Sequence, residues 1–123
     1  MQQFNSPNVY YLENTEFDPD HRLIIPGLAI VMVQGNYCGY CTQLKPIFQR
    51  VADELSQPGL IFATIQIDGA QPGEQVFKTD ALSRIIGQPL QGVPLIVKFY
   101  DGYPVQSYSG GHSYEELKKW ILS

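Results

Sequence analysis

The sequence predicts an α/β fold: a central mixed sheet of four to five strands with helices on both faces. Three observations point there. Leu28 to Val33 is a continuous apolar run of strand length, and Leu60 to Ile67, apolar but for Thr64 and Gln66, reads as another buried strand, as expected of central strands buried on both faces. A helical pattern separates these runs and a second one follows, an order that implies parallel pairing through crossovers. Near the end, Leu95 to Tyr100 and Tyr103 to Tyr108 flank Asp101-Gly102. That dipeptide suits the two positive-φ positions of a type I′ hairpin and adds antiparallel strands.

Each element can be justified in turn. Asn8 to Glu13 is β-rich, and Thr15 followed by Asp18 marks a short helix that Pro19 limits. Residues 1–27, an amino-terminal strand and helix, fit the pattern most loosely. After the Pro26-Gly27 turn comes the first apolar strand. From Gly39 to Leu55 the apolar residues Leu44, Ile47, Phe48, Val51, Ala52 and Leu55 recur at helical spacing and stop before Pro58-Gly59. Pro46 lies inside this helix and is expected to kink it. The second apolar strand is followed by a polar stretch and a helical segment from Asp80 to Ile86. Ser113-Tyr114-Glu115-Glu116 then reads as a capping box, with Leu117, Trp120 and Ile121 on one face of a last helix.

A length of 123 residues with 44% hydrophobic content fits one compact domain over 1–123. Twelve acidic against eight basic residues give a net charge of −4 with no basic cluster, which argues against nucleic acid as a partner. No apolar run approaches the roughly eighteen residues of a membrane span. The amino terminus lacks a positively charged region, its first Lys or Arg being Arg22, so the expectation is a soluble, cytoplasmic protein without an export signal.

The chain holds two cysteines, in Cys38-Gly39-Tyr40-Cys41, where an apolar strand gives way to a helix. Residues i and i+3 of a first helical turn share a face, within the roughly 5–6 Å at which a disulfide closes. A helix N-terminus offers unpaired N–H groups and a positive dipole end, which favour a thiolate at Cys38. A tetrahedral zinc site would need two further ligands, and only His21 and His112 are on offer; no metal is expected. As a purely structural link, so short a loop would contribute only about 2 kcal/mol. Redox chemistry is the reading these residues favour.

Four features together resemble the thioredoxin family: a strand leading into Cys-Gly-Tyr-Cys, Pro46 five residues after Cys41, Gly92-Val93-Pro94 opening a strand, and a closing hairpin and helix. The likeness spans about Leu28 to Leu122. It implies the thioredoxin fold, with Cys38 as the exposed attacking thiol, Cys41 as the buried resolving thiol, and a cis bond between Val93 and Pro94. It further implies a shallow docking surface for an extended substrate, formed by Tyr37, Gly39, Tyr40, Val93, Pro94 and Gly110, with Val93 pairing through its backbone. His112 reads as a surface residue of a loop that the family places near the cysteines.

The chain also departs from that family. Met32 stands where its reductases carry a buried acid that relays a proton for the second cysteine. Gln34 replaces an aromatic residue, and Tyr40 a proline, as in some isomerases and glutaredoxins. Residues within such motifs tune reduced-thiolate stability and hence the direction of electron flow. The connection from Asp68 to Pro94 is longer than usual, with the surplus over 69–78 read as a surface insertion. The resemblance implies a thiol–disulfide oxidoreductase acting on protein disulfides, with a disulfide reductase as the leading reading. An oxidase or isomerase, and a redox-idle binding module, are the alternatives. Its partners would be protein substrates and a reductase or thiol donor; it would need no cofactor beyond the Cys38–Cys41 pair and would act as a monomer.

Overall fold

A computed structural model describes residues 4, 6–35, 38–68 and 79–123. The predicted insertion at 69–78 lies outside the described residues. Five strands, β1 (Val9–Tyr11), β2 (Leu28–Gln34), β3 (Leu60–Gln66), β4 (Leu95–Tyr100) and β5 (Tyr103–Ser107), form one sheet in the order β1-β3-β2-β4-β5. β1, β3 and β2 run parallel, whereas β4 is antiparallel to β2, and β5 to β4. The helices are α1 (Gly39–Leu55), α2 (Thr79–Ile86) and α3 (Tyr114–Leu122).

The two faces of β2 explain its apolar run. Ile30 and Met32 pack into a core with Leu44, Phe48, Val51 and Ala52 of α1 and Leu117 and Ile121 of α3. Ala29, Val31 and Val33 point the other way, into a second core with Leu82, Ile85 and Ile86 of α2 and Val97 and Phe99 of β4. Period-two alternation thus feeds two hydrophobic layers, and every position from Ala29 to Val33 is buried, with Leu28 partly so at the start of the strand.

The amino-terminal segment departs from expectation in detail. Its strand shortens to three residues, although Leu12 still donates to the Thr64 carbonyl at 2.9 Å. The short helix is a single 3-10 turn over Asn14–Glu16, its Glu13 N–H capped by the Glu16 carboxylate at 3.1 Å. Beyond it, Phe17 bridges Leu23, and Leu12 and Leu23 bury themselves on the α2 side of the sheet. Pro46 sits within an unbroken α1. Asp101 and Gly102 have φ of 49° and 91°, as the predicted hairpin requires. Ser113 caps α3 by accepting from the Glu116 N–H at 3.1 Å. The Glu116 carboxylate, however, takes the Gly111 N–H at 2.7 Å rather than completing the box.

Candidate active site

β2 ends at Gln34, and α1 begins at Gly39 with Cys38 as its N-cap. Cys38 has extended backbone, φ −99° and ψ 116°, and its sulfur accepts from the Cys41 N–H at 3.1 Å. One orphan donor of the first helical turn is therefore satisfied by this sulfur, as by any N-cap acceptor. The two cysteines form a disulfide with Cα atoms 5.1 Å apart. Cys38 is partly exposed, while Cys41 is 0% exposed and packs with Leu44, Phe48 and Ile96 in the α1 core. The pair is thus divided into an outer and an inner sulfur.

β4 enters beside it. The peptide between Val93 and Pro94 is cis, and the Cys38 sulfur lies 3.5 Å from the Val93 carbonyl oxygen. Val93 touches both cores, so it is anchored while its backbone stands at the sheet end. Among the described residues the surface near the sulfur is open: Tyr40 is 66% exposed, and a Cβ built on Gly39 or Gly92 meets none of them within 4 Å. Gly110 is exposed in the loop before α3, which the Tyr108 hydroxyl ties by donating to the Gly111 carbonyl at 2.6 Å. That loop reaches the cysteine turn: the rings of Tyr40 and His112 meet edge-on at 5.8 Å. Tyr37 lies outside the described residues. Cys41, Val93 and Pro94 thus adjoin Cys38 at the carboxyl end of β2, with Gly39 and Tyr40 in the same turn and Gly110 in the loop that meets Tyr40 through His112.

Beneath the pair the sheet is polar. Met32 is fully buried, and one rung further Gln34 and Gln66 face each other across β2 and β3, the Gln34 amide 3.5 Å from the Gln66 carbonyl oxygen. Gln66 donates to the Asp68 backbone carbonyl at 2.9 Å. Lys45, one turn after Cys41, is 1% exposed; burial lowers its pKa, and the charge of Asp68 opposes that shift. Sequence analysis passed over Lys45, although its spacing from Cys41 and Phe48 sets it on the buried face. Lys98 of β4 is likewise buried, its ammonium donating to the Trp120 carbonyl at 3.0 Å, and desolvation lowers its pKa.

Among the described residues, no group of three or more His, Cys, Asp or Glu side chains could hold a metal, and no helix is long and apolar enough to cross a membrane. An apolar cleft lined by Tyr10, Tyr11, Ile25, Pro26 and Ile61 lies where β2 and β3 begin, at the far end of the sheet from the cysteines.

The comparisons with known proteins agree with this geometry. The family model described as Thioredoxin matches residues 8–123. The chain is similar to thioredoxin-like protein 453L of Invertebrate iridescent virus 6, 39% identical over 137 residues that cover 99% of this chain and 98% of that protein. It is 27% identical to Protein disulfide isomerase-like 1-4 of Arabidopsis thaliana over 93 residues, 76% of this chain but only 14% of that protein. Human ERp44 in its zinc-bound form shares the fold with a TM-score of 0.71 at 19% identity, over 94% of this chain and 29% of that one. A five-stranded mixed sheet, a Cys38–Cys41 disulfide at the start of α1 and a family match over nearly the whole length place this chain in the thioredoxin family.

Proposed function

We propose that this protein is a thiol–disulfide oxidoreductase working as a disulfide reductase on protein substrates. The division of the cysteine pair carries the reading: Cys38 at the helix N-cap, partly exposed and receiving an N–H, and Cys41 buried behind it. The reduced Cys38 thiolate attacks one sulfur of a substrate disulfide. The other substrate sulfur leaves as a thiolate and takes a proton from water, and a mixed disulfide remains on Cys38. Cys41 then attacks Cys38, which releases the second substrate thiol and closes the Cys38–Cys41 bond. Two electrons pass to the substrate, and a reductase or thiol donor restores the dithiol.

Gly39, Tyr40, Val93, Pro94 and Gly110, together with Tyr37, form the docking surface in this reading. The open space at Gly39 and Gly92 supports it, since an extended chain can approach the sulfur without displacing side chains. The protein acts as a cytoplasmic monomer, with the dithiol as its redox centre and no further cofactor.

Oxidation or isomerisation is the second reading. It is favoured by Tyr40 between the cysteines, by Met32 in place of an acid, and by the similarity to an isomerase-like plant protein. A redox-idle binding module would use the same Val93 edge. Equilibration of the Cys38–Cys41 pair against defined thiol buffers separates the three. A reductase has a midpoint near about −270 mV, and an oxidase or isomerase one between about −180 and −120 mV. A pair that exchanges with neither buffer would leave only the binding module.

A further inference from the structure

The buried face of α1 carries Cys41, Leu44, Lys45, Phe48, Val51 and Ala52. Lys45 is the anomaly in that row. An ammonium taken out of water is costly unless a counter-charge and polar partners meet it. Asp68, just past β3, supplies the charge, and its carboxylate is tucked so closely under Gly35 that a Cβ there would lie 3.1 Å from Oδ2. Polar partners come from the sheet. Gln34 and Gln66 share a rung of β2 and β3 and the parity of Ile30, Met32 and Phe62, whose side chains pack against α1. The Gln34 Oε1 atom is buried without a hydrogen-bond partner among the described residues. A polar rung thus closes the carboxyl ends of β2 and β3 on the α1 face, four residues before Cys38, with the apolar Met32 two residues earlier on the same face.

Cys41 and Lys45 stand four residues apart on one helix face, a spacing that sets their Cβ atoms about 5–6 Å from each other. Nearby charges are otherwise engaged. Lys98, on the rung of Ile30, is held by the Trp120 carbonyl; Glu54 and Lys118 pair with each other between α1 and α3; His112 meets the outward ring of Tyr40. Asp68 is the described charge that acts on Lys45.

We infer that Lys45, held on the buried face of α1 opposite Asp68, is the positioning cation that stabilises the Cys41 thiolate for its attack on the mixed disulfide at Cys38. This rests on the redox reading above. In the resolving step Cys41 loses its proton to water, and its sulfur bonds to the Cys38 sulfur as the bond from Cys38 to the substrate sulfur breaks. The electron pair leaves on the substrate thiolate, which takes up a proton from water. Without a nearby cation, burial alone would keep Cys41 a thiol.

The test preforms a glutathione mixed disulfide on Cys38 and follows glutathione release against pH. With Lys45→Met, release at neutral pH is expected to slow about tenfold or more and to recover toward the wild-type rate in alkali, whereas Lys45→Arg keeps the wild-type profile. A folded Lys45→Met variant whose profile superimposes on the wild type overturns the inference, as does a Lys45→Arg variant that slows equally. A second measurement leaves Lys45 untouched. In Cys38→Ser, ultraviolet absorbance of the thiolate should show Cys41 titrating no higher than an ordinary thiol, and titration well above that range overturns the inference. A wild-type mixed disulfide that releases no glutathione overturns the redox reading and this inference together; normal release with an unshifted Lys45→Met profile overturns this inference alone.

Discussion

Substituting the glycine of the hairpin separates backbone strain from steric exclusion at one position. Gly102 has φ of 91°, a region that costs a residue with a Cβ about 1–2 kcal/mol. A Cβ there would fall on the Leu23 carbonyl oxygen and press on Arg22, with Cγ at 2.8 Å and Nε at 2.9 Å. Arg22 can swing away, but Leu23 cannot easily do so. Its N–H donates to the Gly102 carbonyl at 3.3 Å and its side chain is buried. Displacing it loses a hydrogen bond of about 1 kcal/mol and part of a buried leucine worth about 1.5–3 kcal/mol. Gly102→Ala should therefore cost about 3–5 kcal/mol in all. For a chain of this size each kcal/mol lowers Tm by about 3–5 °C, so the midpoint should fall by roughly 10–20 °C. Gly59→Ala is the control, because its φ of 90° is the same but its Cβ would meet nothing within 4 Å. That variant should lose only the strain, about 1–2 kcal/mol. Calorimetric melting of both variants decides the matter: equal midpoints would refute the steric argument. Disulfide exchange well below either midpoint should be unchanged, because the turn closes the end of β4 opposite Leu95 and Pro94.

The two cysteines should behave asymmetrically: Cys38→Ser abolishes exchange, whereas Cys41→Ser accumulates a covalent mixed disulfide visible by mass, and multiple turnovers by Cys41→Ser without added thiol would contradict the assigned order. Phe48 is fully buried, its ring 5.7 Å from that of Phe62 and 5.8 Å from that of Phe4; Phe48→Ala should lower the unfolding free energy in urea by about 3–5 kcal/mol. Hydrogen bonds from Lys118 and Tyr114 hold the Glu54 carboxyl below its usual range. Their stabilising effect is therefore present at neutral pH and lost as pH falls through that depressed range. Glu54→Gln should flatten the acid limb of the Tm-against-pH curve, and an unchanged limb would show that the exposed pair contributes nothing measurable.

Much of the fold was legible because local signals agreed with one another. The apolar runs marked β2 and β3, the helical period bounded α1 at Gly39 and Leu55, Asp101-Gly102 marked the hairpin, and Ser113 marked the start of α3. The amino-terminal helix was over-read: a 3-10 turn carries the same Thr, Asp and Pro signals, and only the pull of Leu12 and Leu23 onto the sheet decides its length. Lys45 and Lys98 were passed over for a related reason. A lysine within an apolar period reads as solvent-facing, and its burial depends on an Asp68 carboxylate or a Trp120 carbonyl that sequence spacing does not place. The contact between Tyr40 and His112 joins two turns distant in the chain, so no local pattern could disclose it.

The sequence by itself determined the local frame of the cysteine pair: two cysteines three residues apart, set where an apolar strand yields to a helix, fix the disulfide's reach and put Cys38 at the helix N-cap. Their inequality, which local spacing does not give and the family resemblance implied, has its physical cause in the tertiary structure. Packing against the sheet buries Cys41 and leaves Cys38 beside Val93, and the register of β2 with β3 sets Gln34 beside Gln66 beneath them. Helical and strand periods are local and can be read along a chain, but burial and electrostatic environment are sums over residues that meet only once the sheet has assembled.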